Sequence, residues 1–194
     1  VGQGSVVDGE CGGHARSVAC NNSMMKPLLV LSHGLHSSPD ATKVSALAAI
    51  AEPLGFSSVR PDYRDLDDSG DMRRIDERIA RLVEHAPKNA PVILAGSSMG
   101  AFVSGFASLQ LNCAGLFLMA LPISIPGYAR RFEAKRVPTA LVHGWSDELC
   151  PADDAIAFAR ARGDEIALVR DDHRLGAHVH FVAENFARFL RRFA

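Results

Sequence analysis

The chain has 194 residues, 47% of them apolar and 22% charged, and its 21 basic and 22 acidic side chains leave a net charge of −1. A length of this order makes one domain, and hiding ~70% of the unfolded surface gives it a core without disulfide or metal staples. The charge balance offers no global field for nucleic acid or acidic membrane, and no apolar run reaches the ~18–20 residues that span a bilayer.

Residues 1–23 contain no Leu, Ile, Phe, Tyr, Trp or Met but are rich in glycine. They can bury little, so a flexible N-terminal extension is expected there, with residues 24–194 forming the single domain. Met24 or Met25 is then a candidate for the biological start. Cys11 and Cys20 are close enough in sequence to pair, whereas Cys113 and Cys150 sit in apolar surroundings and read as buried free thiols. No basic stretch followed by an apolar one opens the chain, so a cytoplasmic protein is expected.

From Lys26 onward short apolar runs alternate with amphipathic segments. The first strand is predicted at Pro27–Leu31, before Ser32-His33-Gly34. A helix over Thr42–Leu54 and a strand over Ser57–Arg60 follow. The next helix is predicted over Asp71–His85, where Ile75, Ile79, Leu82, Val83 and Ala86 share one face. Strand Val92–Ala95, helix Met99–Leu111 and strand Ala114–Met119 come next. Strand Pro138–His143, helix Ala152–Ala161, strand Glu165–Arg170 and helix Val179–Phe193 complete the order.

Strands that are apolar throughout, rather than alternating, are those of a sheet buried on both faces. With right-handed crossovers this predicts a doubly wound α/β fold, a mainly parallel sheet of about six strands with helices on both sides. In such folds chemistry concentrates in the loops at the carboxyl ends of strands, here those after Leu31, Arg60, Ala95, His143 and Arg170.

One of these loops, Gly96-Ser97-Ser98-Met99-Gly100, has the G-x-S-x-G pattern between a buried strand and a helix. A serine at such a sharp turn is exposed as a nucleophile, but its hydroxyl is weak and needs a base, and the base needs a carboxylate to orient it. His143–Pro151 after one strand and Asp171–Leu175 after the last supply candidates for both. The chain order Ser98, Asp147, His173 is the nucleophile–acid–histidine order of one large fold family.

The chain resembles a small, lidless α/β-hydrolase from Lys26 to its end. The resemblance is carried by His33-Gly34, Arg60–Arg64, Gly96–Gly100, His143–Pro151 and Asp172-His173. It is most similar to short bacterial serine esterases with HG-x-x-SSP and GSS-[LM]-G motifs, here His33–Pro39 and Gly96–Gly100. The resemblance implies a minimal α/β-hydrolase fold without a lid domain, and ester or thioester hydrolysis through an acyl-serine. It implies an oxyanion hole made by the backbone N–H groups of Leu35 and Met99. The family pattern puts His173 as the base, with His178 and His180 as alternatives. It puts Asp147 as the acid, with Glu148, Asp171 and Asp172 as competitors.

His36 is a candidate lining residue of the substrate pocket, and Trp145 either walls that pocket or anchors the core. No histidines stand at metal-binding spacing with acids nearby, so neither a metal nor a cofactor is expected. The basic stretch Arg130–Arg136 reads as a solvated face. The short segment from Ala120 to Arg136 leaves no room for a cap, which favours an open site. The expected partner is a small-molecule acyl ester or thioester; the pattern of residues sets no oligomeric state. Two other readings fit the same residues: a non-catalytic ligand-binding or interaction protein on the hydrolase scaffold, and a peptidase or acyltransferase using the same triad.

Overall fold

The computed structural model describes residues 1–2, 26–69, 71 and 74–194. The expected N-terminal extension, apart from Val1 and Gly2, and the Cys11–Cys20 pairing lie outside the described residues.

Six strands form one sheet: β1 (Leu28–Ser32), β2 (Ser58–Val59), β3 (Val92–Ser97), β4 (Cys113–Met119), β5 (Thr139–Gly144) and β6 (Glu165–Val169). Their spatial order is β2-β1-β3-β4-β5-β6, and every neighbouring pair is parallel. β1 stands one place in from an edge; the chain winds out to β2, then returns past β1 to build the remaining four strands. The two windings diverge at β1 and β3, and the loops after those strands therefore face each other across an open crevice.

The helices are α1 (Thr42–Ala51), α2 (Arg64–Asp67), α3 (Ile75–His85), α4 (Met99–Ser108), α5 (Ala152–Arg162) and α6 (Val179–Leu190). Strand side chains alternate between two cores. Leu29, Leu31, Ile93, Ala95, Phe117, Met119 and Val142 meet Val44, Leu47, Val182, Phe186 and Phe189 of α1 and α6. Val30, Leu94, Leu116, Leu118 and Leu141 meet Ile79, Leu82, Phe102, Phe106, Ala155 and Ala159 of α3, α4 and α5. A strand with both faces covered has no polar positions, which is why these strands read as unbroken apolar runs.

Element ends depart from the sequence reading for local reasons. The helix predicted to reach Leu54 is α-helical only to Ala51 and tightens into a 3₁₀ turn over Glu52–Leu54, because Pro53 has no N–H to continue the ladder. The helix expected from Asp71 begins at Ile75. The Asp71 amide donates instead to Ser69 Oγ at 3.3 Å, a local turn that competes with helix. The short helix α2 was absent from the sequence reading.

The segment between β4 and β5 holds no helix. Phe132 is buried against Phe102 and Phe106, Arg130 lies 4.1 Å from the centre of the Phe106 ring, and Arg162 donates to the carbonyls of Ala134 and Lys135. The basic stretch is therefore a strap across α4 and not only a solvated face. Cys113 and Cys150 are both free and buried, and burial raises their thiols to about 11 and about 12. Among the described residues no helix is long and apolar enough to cross a membrane.

Candidate active site

β3 ends in Ser97 and α4 begins at Met99, so Ser98 alone makes the turn between them. Its backbone is left-handed, with φ 55° and ψ −122°, a conformation that costs ~1–3 kcal/mol for a residue with a side chain. The surroundings hold it there. Its N–H donates to Met119 O at 2.9 Å, and its carbonyl accepts from Ala101 and Phe102 of α4. The two flanking glycines are required by close approach. A Cβ on Gly96 would lie 2.2 Å from Gly100 O, and one on Gly100 would lie 2.3 Å from Ser32 O. The pattern of small residues thus brings α4 down onto β1 and β3 and leaves the Ser98 hydroxyl at the crevice.

The loops after β5 and β6 meet this hydroxyl. His173 Nε2 is 2.8 Å from Ser98 Oγ, and His173 Nδ1 is 2.8 and 3.0 Å from the two oxygens of Asp147. The Asp147 side chain is fully buried, and Oδ1 also accepts from the amides of Leu149 and Cys150 at 3.0 and 2.8 Å. His143 holds the same loop: its Nε2 donates to Cys150 O at 2.7 Å, with Asp147 Oδ2 3.3 Å away. That tautomer leaves Nδ1 of His143 bare and buried, without a partner among the described residues. The acid loop is tied to the histidine loop by Trp145 N–H to Val169 O and Ser146 N–H to Asp171 O. A buried carboxylate held by two amides of its own loop is fixed in place, which suits it to orient an imidazole.

The other candidate bases lie elsewhere. His178 Nδ1 pairs with Asp171 Oδ2 at 2.9 Å, and exposed His180 pairs with Glu184 at 3.1 Å. Burial pushes the Asp171 carboxyl up, but bonds from His178 and the amides of Asp172 and Ala177 outweigh it and hold the group below its usual value. Asp172 accepts from the Arg174 amide, and Glu148 lines a neighbouring recess.

On the opposite wall stands the loop after β1. His33 Nδ1–H donates to Gly34 O at 2.8 Å, while its Nε2 accepts from Tyr63 N–H at 3.1 Å. Gly34 O and Leu35 N belong to one peptide plane and point to opposite edges of it, so the imidazole that holds the carbonyl also aims the Leu35 N–H. Burial lowers the His33 pKa, although nearby Asp67 and Asp62 oppose it, which keeps the ring neutral in this donor–acceptor role. The next peptide is held as well: His36 N–H donates to Asp67 Oδ2 at 3.0 Å, and Asp67 Oδ1 pairs with Arg78 in a fully buried ion pair. His36 itself is left-handed, with φ 52°.

Leu35, His36, Ser98 and His173 all line one cleft of about 450 Å³, together with Lys43 and Arg174. Met99 follows Ser98 directly as the first residue of α4. Trp145 is 58% exposed and so anchors no core, and it is not among the residues lining the cleft. Asp147, Cys150 and His173 bring three potential metal-binding atoms within 4.8 Å of one another. The carboxylate and imidazole already serve each other, and the thiol is held protonated by burial.

Asp67 and Arg78 escaped the sequence reading. Asp67 sits in the acidic run Asp65–Asp68, which reads as solvated. Arg78, however, lies on the stripe of Ile75, Ile79 and Leu82, and a charge on the apolar face of a helix was the signal to follow.

Comparison with known proteins agrees with this architecture. The model of a family described as an alpha/beta hydrolase domain matches residues 25–180. A member of the alpha/beta hydrolase superfamily from Xanthomonas campestris pv. campestris is 42% identical, over 86% of this chain and 99% of that one, with a TM-score of 0.80. An α/β serine hydrolase without a lid, also from Xanthomonas campestris, shares the fold at 19% identity, covering 88% of this chain and 84% of that one, with a TM-score of 0.65. An alpha-beta serine hydrolase homologue from Coxiella burnetii does so at 22% identity, with 84% and 88% covered and a TM-score of 0.62. A comparison with curated protein sequences finds no match. On the extent of the family match and the close structural relative, the chain belongs to the alpha/beta hydrolase superfamily and is a hydrolase of the minimal, lidless kind.

Proposed function

We propose that this hydrolase cleaves carboxylic esters or thioesters through an acyl-serine intermediate. One observation carries the reading: His173 bridges Ser98 Oγ and the buried carboxylate of Asp147 at hydrogen-bond distance on both sides. Ser98 Oγ attacks the acyl carbon while His173 Nε2 takes its proton, and Asp147 stabilises the imidazolium through Nδ1–H. The carbonyl oxygen becomes an oxyanion held by the N–H groups of Leu35 and Met99, each such donor being worth ~3–4 kcal/mol of barrier. Collapse breaks the bond to the alcohol or thiol, which leaves with the proton from His173. A water then gives its proton to His173 and attacks the acyl-serine, and the acid departs with Ser98 restored. His36 contacts the substrate from the cleft wall, while Trp145 stands outside it on the rim of the acid loop.

The test is hydrolysis of a p-nitrophenyl ester chain-length series, with the acyl-enzyme trapped by acid quench and located by mass spectrometry. Turnover with acyl mass on the peptide containing Ser98, lost in Ser98→Ala, is the expected result. An acyl group on any other residue, or undiminished turnover in Ser98→Ala, overturns the proposal.

A further inference from the structure

The cleft at Ser98 has an uneven charge. None of its lining residues is an Asp or Glu, yet Lys43 and Arg174 both contribute to it. Lys43 Nζ donates to the Arg174 backbone carbonyl at 2.6 Å, and among the described residues neither side chain makes an ion pair. Partial burial draws the Lys43 pKa down, and the fields of Asp171, Asp172 and Asp147 oppose it. Those acids are engaged elsewhere: Asp171 with His178, Asp172 with the Arg174 amide, Asp147 with His173. A half-buried ammonium with no counter-ion is costly, and a bound anion would relieve that cost.

The position of Lys43 points the same way. It occupies the first turn of α1, which contains no acidic residue, and the N-cap Ala41 offers no side-chain acceptor to the free amides. A cation at this end opposes the helix dipole and gains nothing from it, whereas an anion gains from both. Ala41 lines the cleft too. Beyond His36 and Ser37 the adjoining recess differs: Asp62, Asp65, Asp67 and Asp68 line it, but Arg64 and Arg81 line it too and pair with Asp62 and Asp65, and Asp67 pairs with Arg78. The cations without an ion-pair partner are thus on the α1 side, and an anionic substrate group is drawn there.

We infer that the site takes esters or thioesters bearing a second group that is a compact oxyanion, a carboxylate or a phosphate, held between Lys43 and Arg174. This rests on the proposed role of Ser98 for the chemistry, though not for the binding. The selectivity then comes from charge, and the scissile carbonyl is placed by the distance from the anion to the oxyanion-hole amides.

Calorimetric titration of Ser98→Ala protein separates the two claims, because binding is read without turnover. Monoethyl esters of malonate through adipate are compared with neutral ethyl esters of equal length. At least one monoethyl ester should bind about tenfold or more tightly than its neutral counterpart, with a preference that shrinks as salt rises. Lys43→Gln and Arg174→Gln should each erode the preference and together abolish it. Among the described residues the Arg174 side chain makes no bond that its replacement could break, which guards against misfolding as the cause. Inorganic phosphate that displaces the monoester assigns the site to oxyanions in general, and phosphate that does not assigns it to carboxylates. Equal affinity for charged and neutral esters across the series, or a preference surviving in the double variant, overturns the inference. Monoesters that bind in this way but are never hydrolysed by the wild-type chain would instead overturn the proposed function and leave the anion site standing.

Discussion

Two histidines within a few residues of each other beyond β6 are each paired with an aspartate. His173 meets Asp147 at 2.8 Å and His178 meets Asp171 at 2.9 Å, each through Nδ1. Distance does not distinguish them. What differs is the setting: Asp147 is fully buried and receives amides from its own loop, whereas the Asp171 side chain is 10% exposed and ties the start of a 3₁₀ turn through Ala177 N–H. His173 turns its free nitrogen to Ser98, while His178 sits 33% exposed. A histidine–carboxylate pair is therefore common furniture in a folded protein, and the third partner decides what the pair can do.

The comparison breaks most visibly by mutation. His173→Ala is expected to lower kcat for ester hydrolysis by about 10⁴-fold or more, and His178→Ala to leave it within about threefold. Equal losses would dissolve the distinction. Asp147→Asn is expected to cost between ~10² and ~10⁴ in kcat with KM little changed, since geometry survives and the imidazolium loses its counter-charge. Asp171→Asn should affect kcat far less.

The buried ion pair behind the loop after β1 is expected to act on stability. Asp67→Ala leaves Arg78 charged and buried, and the loss should be about 3–5 kcal/mol in denaturant unfolding. A loss below about 1 kcal/mol would show that the pair is solvated in solution. Replacing both residues by apolar ones should recover much of the loss while leaving the His36 N–H unbonded. The double variant should then remain slow as an esterase although it is folded.

The smallest effect is in pH. The folded His33 pKa lies below the usual 6.5 because of burial. Below 6.5 the unfolded chain binds this proton and the folded chain does not, so stability falls as pH drops from that value toward the folded pKa and is full above it. Nitrogen-15 spectra of the imidazoles should show neutral His33 protonated on Nδ1 and titrating below the usual 6.5. An ordinary titration centred near 6.5 would contradict the burial of the ring and the acceptance by its Nε2 from Tyr63 N–H.

The sequence made the sheet legible because buried parallel strands have no polar positions to confuse their borders. Gly96–Gly100 was legible because close packing admits nothing larger at either glycine. The choice between His173 and His178 was not readable from spacing alone, since both follow β6. It came from a family pattern, and the structure supplies its physical content in the reach to Ser98. Asp67 and Arg78 were hidden for a different reason. Each looks like a surface residue by type, and only the fold shows that they meet each other inside. Lys43 was equally silent, because a lysine near a helix start is unremarkable until the cleft beside it is seen to lack an acid.

The central claim is that His173, oriented by Asp147, activates Ser98. Labelling with a fluorophosphonate probe, followed by peptide mass spectrometry at neutral pH, tests it most directly. The account predicts a single adduct on Ser98, formed at least about 10³-fold more slowly in His173→Ala and at a near wild-type rate in His178→Ala. An adduct at another residue, or an undiminished rate at Ser98 in His173→Ala, would contradict it.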